Sequence, residues 1–241
     1  MKILITGGAS GLGGALTRIL AKDKDNTIYF TYNTSFAGAR QIESEYSNTI
    51  SIKCDFTNPI ELKLLTDNIK LFDLDVLINN AYSGSFLKSH FHKISSSEFL
   101  NDFKDNVIPV IEITQAVIHG FRKKKHGKII TVLTSALVNN PPIGSSVYIA
   151  NKAYLEKLTK VWAIENAKFN ISSNSVSPSF MQTKLTADVD ERVIAQIKDE
   201  NPLRKILTVE EVAETVFFLV NSSTQINGID IVINAALNIK S

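Results

Sequence analysis

Short apolar runs alternate with longer amphipathic stretches along this chain. Ile3–Thr6, Thr27–Tyr32, Ile50–Cys54, Val76–Asn79, Ile129–Leu133, Ile171–Val176 and Ile229–Ile233 read as strands. Several are apolar nearly throughout, as strands covered on both faces are. The segments between them read as helices. Asn58-Pro59-Ile60-Glu61 offers an N-cap, a proline at the first helical position and a capping-box glutamate. Ser95 with Glu98 and Thr208 with Glu211 repeat the capping-box spacing. Strand–helix alternation implies βαβ units, right-handed crossovers and a parallel sheet. The predicted fold class is α/β, a doubly wound parallel seven-stranded sheet in one domain over residues 1–241. Ligands are then expected at the carboxyl ends of the strands. Residues 179–206 break the rhythm, and so long a connection is expected to be a mobile substrate lid rather than an irregular insertion.

Thr6-Gly7-Gly8-Ala9-Ser10-Gly11-Leu12-Gly13 joins the first strand to the first helix. Glycines here permit a tight turn, close approach of backbone to phosphate, and close helix–strand packing. The helix N-terminus adds free N–H groups and a positive dipole end for a pyrophosphate, and Gly7, Ser10, Gly11, Leu12 and Gly13 are the expected cofactor-binding residues of this turn, Gly11 for approach to phosphate and Gly13 for helix–strand packing. An acid about 20 residues further on would hold an NAD ribose. That count lands on Asn33, followed by Thr34 and Ser35, with no carboxylate among them. Asn33 and Thr34 are therefore the expected ribose-side contacts, Arg40 is a possible phosphate partner, and NADP(H) is favoured over NAD(H).

Ser146–Ala153 opens a predicted helix in which Tyr148 and Lys152 are four apart, hence on one face. A lysine cation beside a phenol favours the phenolate and is expected to bring its pKa down from about 10 toward working pH. Ser135 lies thirteen residues upstream, at the end of a strand, where its hydroxyl can meet a substrate carbonyl.

With these residues in view, the whole chain resembles the short-chain dehydrogenase/reductase family in its single-domain, Rossmann-type form. Thr6–Gly13 resembles the family's TGxxxGxG, Asp55 beside Phe56 its adenine-contacting acid, and Asn79-Asn80-Ala81 its NNAG. Asn106, Ser135, Tyr148 and Lys152 match its catalytic tetrad. Asn174–Pro178, with Ser179 and Met181, resembles the segment passing the nicotinamide, and Thr183 the carboxamide contact. Ile226-Asn227-Gly228 resembles the turn before the last strand. The resemblance implies hydride transfer between nicotinamide and a ketone or secondary alcohol. Tyr148 would be the proton donor, Ser135 would polarise the carbonyl, Lys152 would lower the Tyr148 pKa and hold the nicotinamide ribose, and Asn106 would support a water chain. Two positions depart from the pattern. Tyr82 stands where NNAG has glycine, free either to narrow the pocket or to pack outward, and Ser179 replaces the glycine after Pro178.

The nearest resemblance within the family is to 3-oxoacyl-carrier-protein reductases. Asn201-Pro202-Leu203-Arg204-Lys205 is similar to their Pro-Leu-Gly-Arg, with Arg204 in the glycine's place. Reductases of sugar or secondary-metabolite ketones share the scaffold, and fold does not fix substrate. A non-catalytic nucleotide-binding regulator is the reading from another class, opposed by the complete tetrad. Substrate choice is expected to lie in Ser83–Ser95, Ala136–Val147 and Phe180–Ile206, with Pro141-Pro142, Phe86, Phe91 and Phe180 as walls.

Composition narrows the classes. The chain has 241 residues, 44% hydrophobic and 21% charged, with a net charge of +2. That balance gives no electrostatic case for nucleic acid. One cysteine, Cys54, and four scattered histidines, His90 and His92 among them, give no metal-ligand pattern. No apolar run reaches the length of a membrane span, and the N-terminus reads as a strand rather than a signal peptide. A cytoplasmic protein acting on a small-molecule carbonyl or alcohol is expected. The basic run Arg122–Lys128 precedes a strand, so it falls at the end of the sheet away from the site. It reads as a solvated helix end rather than a dock for an acidic partner. Asp102–Gly120 and Tyr148–Ala167 read as two long helices, which in relatives pair across subunits, so a homotetramer or homodimer is expected.

Overall fold

The computed structural model describes residues 1–238. Seven strands form one sheet: β1 Lys2–Ile5, β2 Thr27–Tyr32, β3 Thr49–Lys53, β4 Val76–Asn79, β5 Gly127–Val132, β6 Ile171–Pro178 and β7 Asp230–Ile233. Their order is β3-β2-β1-β4-β5-β6-β7, and every neighbouring pair is parallel. The direction of winding reverses beside β1, which opens a crevice between the carboxyl ends of β1 and β4.

Eight α-helices flank the sheet among the described residues: α1 Gly11–Ala21, α2 Phe36–Glu45, α3 Pro59–Phe72, α4 Ser96–Asn106, α5 Ile108–Lys124, α6 Ser146–Asn166, α7 Glu191–Glu200 and α8 Val209–Asn221. Leu16 and Leu20 of α1, Ile42 of α2 and Val216 and Leu219 of α8 meet one face of the sheet on Ile3, Ile5, Ile28 and Ile78. Leu65 of α3, Ile113 and Val117 of α5 and Leu155 and Trp162 of α6 meet the other on Leu4, Leu77 and Ile129. Burial on both faces explains why β4 and β5 are buried at every residue.

The start signals act as spacing predicts, with one difference. Ser95–Glu98 and Thr208–Glu211 form reciprocal capping boxes. Asn58 caps α3, but the Glu61 carboxylate accepts instead from the Asp55 N–H at 2.8 Å, which ties the helix to the end of β3.

Two expectations need correction. The long helix predicted from Asp102 is two helices, because Pro109 has no N–H to offer the preceding turn and the chain is re-aimed at Val107. Residues 179–206, read as a lid rather than an irregular insertion, hold α7, started by the Asp190 carboxylate accepting from Arg192 N–H at 2.8 Å. The basic run is not simply solvated. Lys124 pairs with Asp75 at 2.6 Å, and Arg122 Nε donates to Asn166 at 2.7 Å. Lys128 is buried, and its ammonium donates to the Val220 and Ser222 carbonyls at the end of α8.

Candidate active site

The cleft at the carboxyl ends of the strands has a volume of about 790 Å³, and it runs from the glycine turn to Tyr148. At one end the turn leaves β1 with Gly7 at φ +67° and Gly11 at φ +52°, backbone that side chains resist. Gly11 faces Thr183, whose Cβ lies 3.6 Å from where a Gly11 Cβ would sit. Ser10, Leu12 and Gly13 line the same end. Asn80 braces the turn: its Nδ2 donates to the Thr6 carbonyl at 2.9 Å and the Gly7 carbonyl at 3.3 Å. Thr6 Oγ1 in turn accepts the Asn80 and Ala81 N–H groups at 2.9 and 3.0 Å. The Asn80 amide is thus spent on shaping the cradle.

Asn33, Thr34 and Ser35 line the adjoining wall after β2, together with Asp55 and Phe56 after β3. Asp55 accepts from Thr57 N–H at 2.9 Å, which holds its carboxyl below the usual range. Arg40 does not reach this wall. Its guanidinium lies 5.3 Å from the Phe36 ring centroid and pairs with Glu43 at 3.4 Å. Pro178, Ser179 and Met181 line the opposite wall, beyond β6. The Ser179 N–H donates to Ile233 at 2.9 Å, so serine extends the ladder where the family has glycine.

The four proposed catalytic residues, Asn106, Ser135, Tyr148 and Lys152, all line this cleft. Ser135 is buried at the start of the 3₁₀ turn after β5. Tyr148 and Lys152 lie one turn apart on α6, both lining the cleft. Lys152 is buried, and its Nζ donates to the Val132 carbonyl at 2.8 Å. Its ammonium therefore leans on the end of β5, 5.8 Å from the Tyr148 ring centroid. Burial pushes Lys152 down to about 8 and pushes Tyr148 up to about 12, the latter partly countered by a hydrogen bond with Thr134. The expected lowering of the phenol toward neutrality is thus reversed in the protein alone, because burial raises it more than the Thr134 hydrogen bond lowers it, while the Lys152 ammonium makes its hydrogen bond to the Val132 carbonyl. A phenol in this state stays protonated, which suits an acid.

Asn106 sits where α4 gives way to α5. Its Oδ1 accepts the Ser83 N–H at 2.7 Å, and its Nδ2 donates to the Ser83 carbonyl and to Asp102. The side chain therefore pins the loop after β4. Tyr82 turns inward. Its ring stands edge-on to Tyr148 with centroids 5.0 Å apart, and its hydroxyl donates to Asp102 at 2.9 Å. Burial, and then the Asp102 charge, hold the Tyr82 phenol well above its ordinary pKa.

Sequence reasoning missed Asp102, Asn151 and Lys88, which meet behind Tyr82. One signal was present: Asp102 precedes Asn106 by one helical turn, and Asn151 lies between Tyr148 and Lys152. The substrate side is lined by Phe86, Leu87, Pro142, Phe180, Val193 and Ile197, the last two from α7. Phe91 is exposed and outside this lining. Arg204 takes the left-handed φ of +52° where the resemblance has glycine. His90 and His92 lie at the surface with ring centroids 6.0 Å apart. No helix among the described residues is long and apolar enough to cross a membrane.

Comparison with known proteins assigns the chain to a family. Residues 7–238 match the short-chain dehydrogenase model described as enoyl-(acyl carrier protein) reductase. Nodulation protein G of Rhizobium sp. (strain N33) is 27% identical over 240 residues, covering 98% of this chain and 96% of that protein. The 3-oxoacyl-[acyl-carrier-protein] reductase FabG of Escherichia coli (strain K12) is 29% identical over 222 residues, covering 90% and 88%. A solved short chain dehydrogenase/reductase family protein superposes with a TM-score of 0.83 at 26% identity, covering 98% and 96%. The 3-ketoacyl-(acyl-carrier-protein) reductase of Brucella melitensis, complexed with NADH, shares the fold at a TM-score of 0.86 and 23% identity, covering 99% and 98%. The chain belongs to the short-chain dehydrogenase/reductase family. It is an oxidoreductase of the nicotinamide-dependent, ketone- or alcohol-converting kind.

Proposed function

We propose that the protein interconverts a ketone and its secondary alcohol with NADP(H) in preference to NAD(H), in the manner of a 3-oxoacyl reductase. The observation that carries this reading is that Tyr148, Ser135 and Lys152 share one cleft with the glycine turn. The cradle fits a dinucleotide: the turn keeps open backbone opposite Thr183, and Asn33, Thr34 and Ser35 put no carboxylate against a 2′-phosphate. A nicotinamide dinucleotide held by the glycine turn, Asn33, Thr34, Asp55 and Thr183 would supply or accept the hydride. Ser135 holds the substrate oxygen by its hydroxyl. Tyr148 passes its proton to that oxygen in reduction and recovers it in oxidation. Lys152, as an ammonium, stabilises the phenolate left behind. Residues 179–206 serve as the substrate cover, supported by Val193 and Ile197 in the cleft lining.

The test is NADPH consumption over a panel of acyl-thioester, sugar and cyclic ketones, repeated with NADH. Turnover with one class, faster with NADPH, is the expected result. Binding of NADPH without oxidation by any ketone would instead favour the non-catalytic regulator. Asn33→Asp places a carboxylate beside the 2′ position and is expected to lower the NADPH:NADH ratio of kcat/KM by about tenfold or more, through charge repulsion. An unchanged ratio would move the 2′ site elsewhere.

The pH dependence follows from Lys152. It is an ammonium below about 8 and neutral above, whereas Tyr148 keeps its proton up to about 12. Because kcat/KM reports the free protein, its value for NADPH is expected to fall about tenfold per pH unit above this point. A flat profile to pH 10 would show that the Lys152 charge is not required.

Self-association is also part of this reading. Tyr154, Val161 and Ile164 on α6 are 45%, 42% and 80% exposed, an apolar stripe suited to a second copy. Sedimentation is expected to give a homotetramer or homodimer.

A further inference from the structure

Behind Tyr82 lies a carboxylate that the reaction does not use. The Asp102 side chain is 5% exposed, yet both its oxygens are engaged. Oδ1 accepts from Tyr82 Oη at 2.9 Å, Asn106 Nδ2 at 3.1 Å and Asn151 Nδ2 at 2.9 Å. Oδ2 faces Lys88 Nζ at 3.2 Å. Stripping water from a carboxylate is costly unless charge-assisted hydrogen bonds replace it, so four donors on one group mark a built arrangement.

The donors come from the segments that make the site. Tyr82 and Lys88 belong to the loop after β4, Asn106 ends α4, and Asn151 sits on α6 between Tyr148 and Lys152. Tyr82 is the member that touches the chemistry. Its ring is perpendicular to Tyr148 at 85°, and Lys152 Nζ lies 5.4 Å from its centroid. With Lys152 Nζ 5.8 Å from the Tyr148 centroid, the Tyr82 ring, the proton donor and its cation stand at the corners of a near-equilateral triangle, each packed on the other two. Phe86 flanks Tyr148 with centroids 6.1 Å apart. Lys88 carries the coupling outward, since its N–H donates to the Gly144 carbonyl at 2.9 Å and so joins two walls of the substrate cleft.

We propose that Asp102 is a positioning residue that acts through Tyr82: it fixes the plane of the Tyr82 ring, and that ring fixes the pose of Tyr148 against Lys152. Lys88 neutralises the carboxylate and couples the substrate wall to this pose. The inference rests on the assignment of Tyr148 as proton donor. Asp102 itself touches neither substrate nor nicotinamide.

The test is a double-mutant cycle of Tyr82→Phe and Asp102→Asn, assayed by NADPH oxidation with an acetoacetyl thioester or whichever ketone of the panel is turned over. Tyr82→Phe keeps the ring and removes only the bond, so it serves even if Asp102→Asn folds poorly. Each single variant is expected to lower kcat about tenfold, in the range for directly coupled neighbours, with the KM for NADPH nearly unchanged. The double variant is expected to be no slower than the slower single. A readout without turnover comes from protein labelled with ¹³C at tyrosine Cζ, the Tyr148 resonance being assigned by its loss in Tyr148→Phe. In Asp102→Asn that resonance is expected to move as it does in Tyr82→Phe. Singles within twofold of wild type, a double variant equal to the product of the singles, or an unmoved Tyr148 resonance would each overturn the proposal. Absence of ketone turnover in the wild-type protein would instead overturn the assignment of Tyr148, which separates the two failures.

Discussion

Tyr148→Phe is expected to cut turnover by about 10²–10⁴-fold, the usual contribution of a positioned general acid. At about 1.4 kcal/mol per decade, that is a loss of about 3–5 kcal/mol of transition-state stabilisation. The ring remains wedged between Tyr82 and Phe86, so the cleft wall survives. The glycine turn lies at the far end of the cleft, so NADPH affinity is expected to stay within a few-fold of wild type. Fluorescence titration of NADPH and single-turnover reduction of a ketone measure the two quantities separately. Near-normal turnover would remove Tyr148 from the role of acid. Loss of turnover together with loss of NADPH binding would point to a collapsed cleft. The high pKa of Tyr148 sharpens the expectation: a phenol at about 12 rarely ionises by itself, so the proton leaves only as the substrate oxygen develops charge.

Much of this arrangement was legible in the residues because two signals carry geometry directly. Apolar runs of strand length place the sheet, and β2 and β4 begin and end where the pattern does. Helical spacing places Tyr148 and Lys152 on one face, and the strand end places Ser135. What spacing lacks is the third dimension. It shows that a lysine neighbours a tyrosine, but not that the Val132 carbonyl takes the ammonium instead. It shows Tyr82 where glycine is expected, but the inward turn of that ring depends on Asp102, twenty residues away. The predicted long helix failed for a local reason, since Pro109 was already a stop signal beside Val107. The α7 helix was overlooked although Val193 and Ile197 are spaced for one face and Asp190 offers a cap. The Arg40 expectation failed because Phe36 and Glu43, on its own helix, are nearer than the cleft.

Gly13→Ala is expected to be the most damaging single methyl group in the cofactor half of the site. A Cβ at Gly13 would stand 2.0 Å from the Gly7 carbonyl oxygen and 2.7 Å from Asn80 Nδ2. The first neighbour is backbone and cannot rotate away. Relief requires either α1 to retreat from β1 or the Gly7 peptide to turn, and each spoils the cradle. Retreat opens the packing of Leu12 and Leu16 on the sheet, with an overpacking cost of about 1–3 kcal/mol. Rotation of the Gly7 peptide removes the carbonyl that Asn80 holds and shifts the N–H groups meant for phosphate. NADPH affinity is therefore expected to fall by at least about tenfold, or about 1.4 kcal/mol, with a lower Tm. Gly120→Ala is the matched control. Gly120 is an exposed residue of α5 with nothing within 4 Å of an added Cβ. There the same methyl group restricts only the unfolded chain, so Tm is expected to rise by the equivalent of about 0.4–1 kcal/mol with NADPH binding intact. Equal behaviour of the two variants would show that the contact between α1 and the Gly7 peptide does not shape the nucleotide site. Opposite signs in Tm, with binding lost only in Gly13→Ala, would locate the effect in that contact.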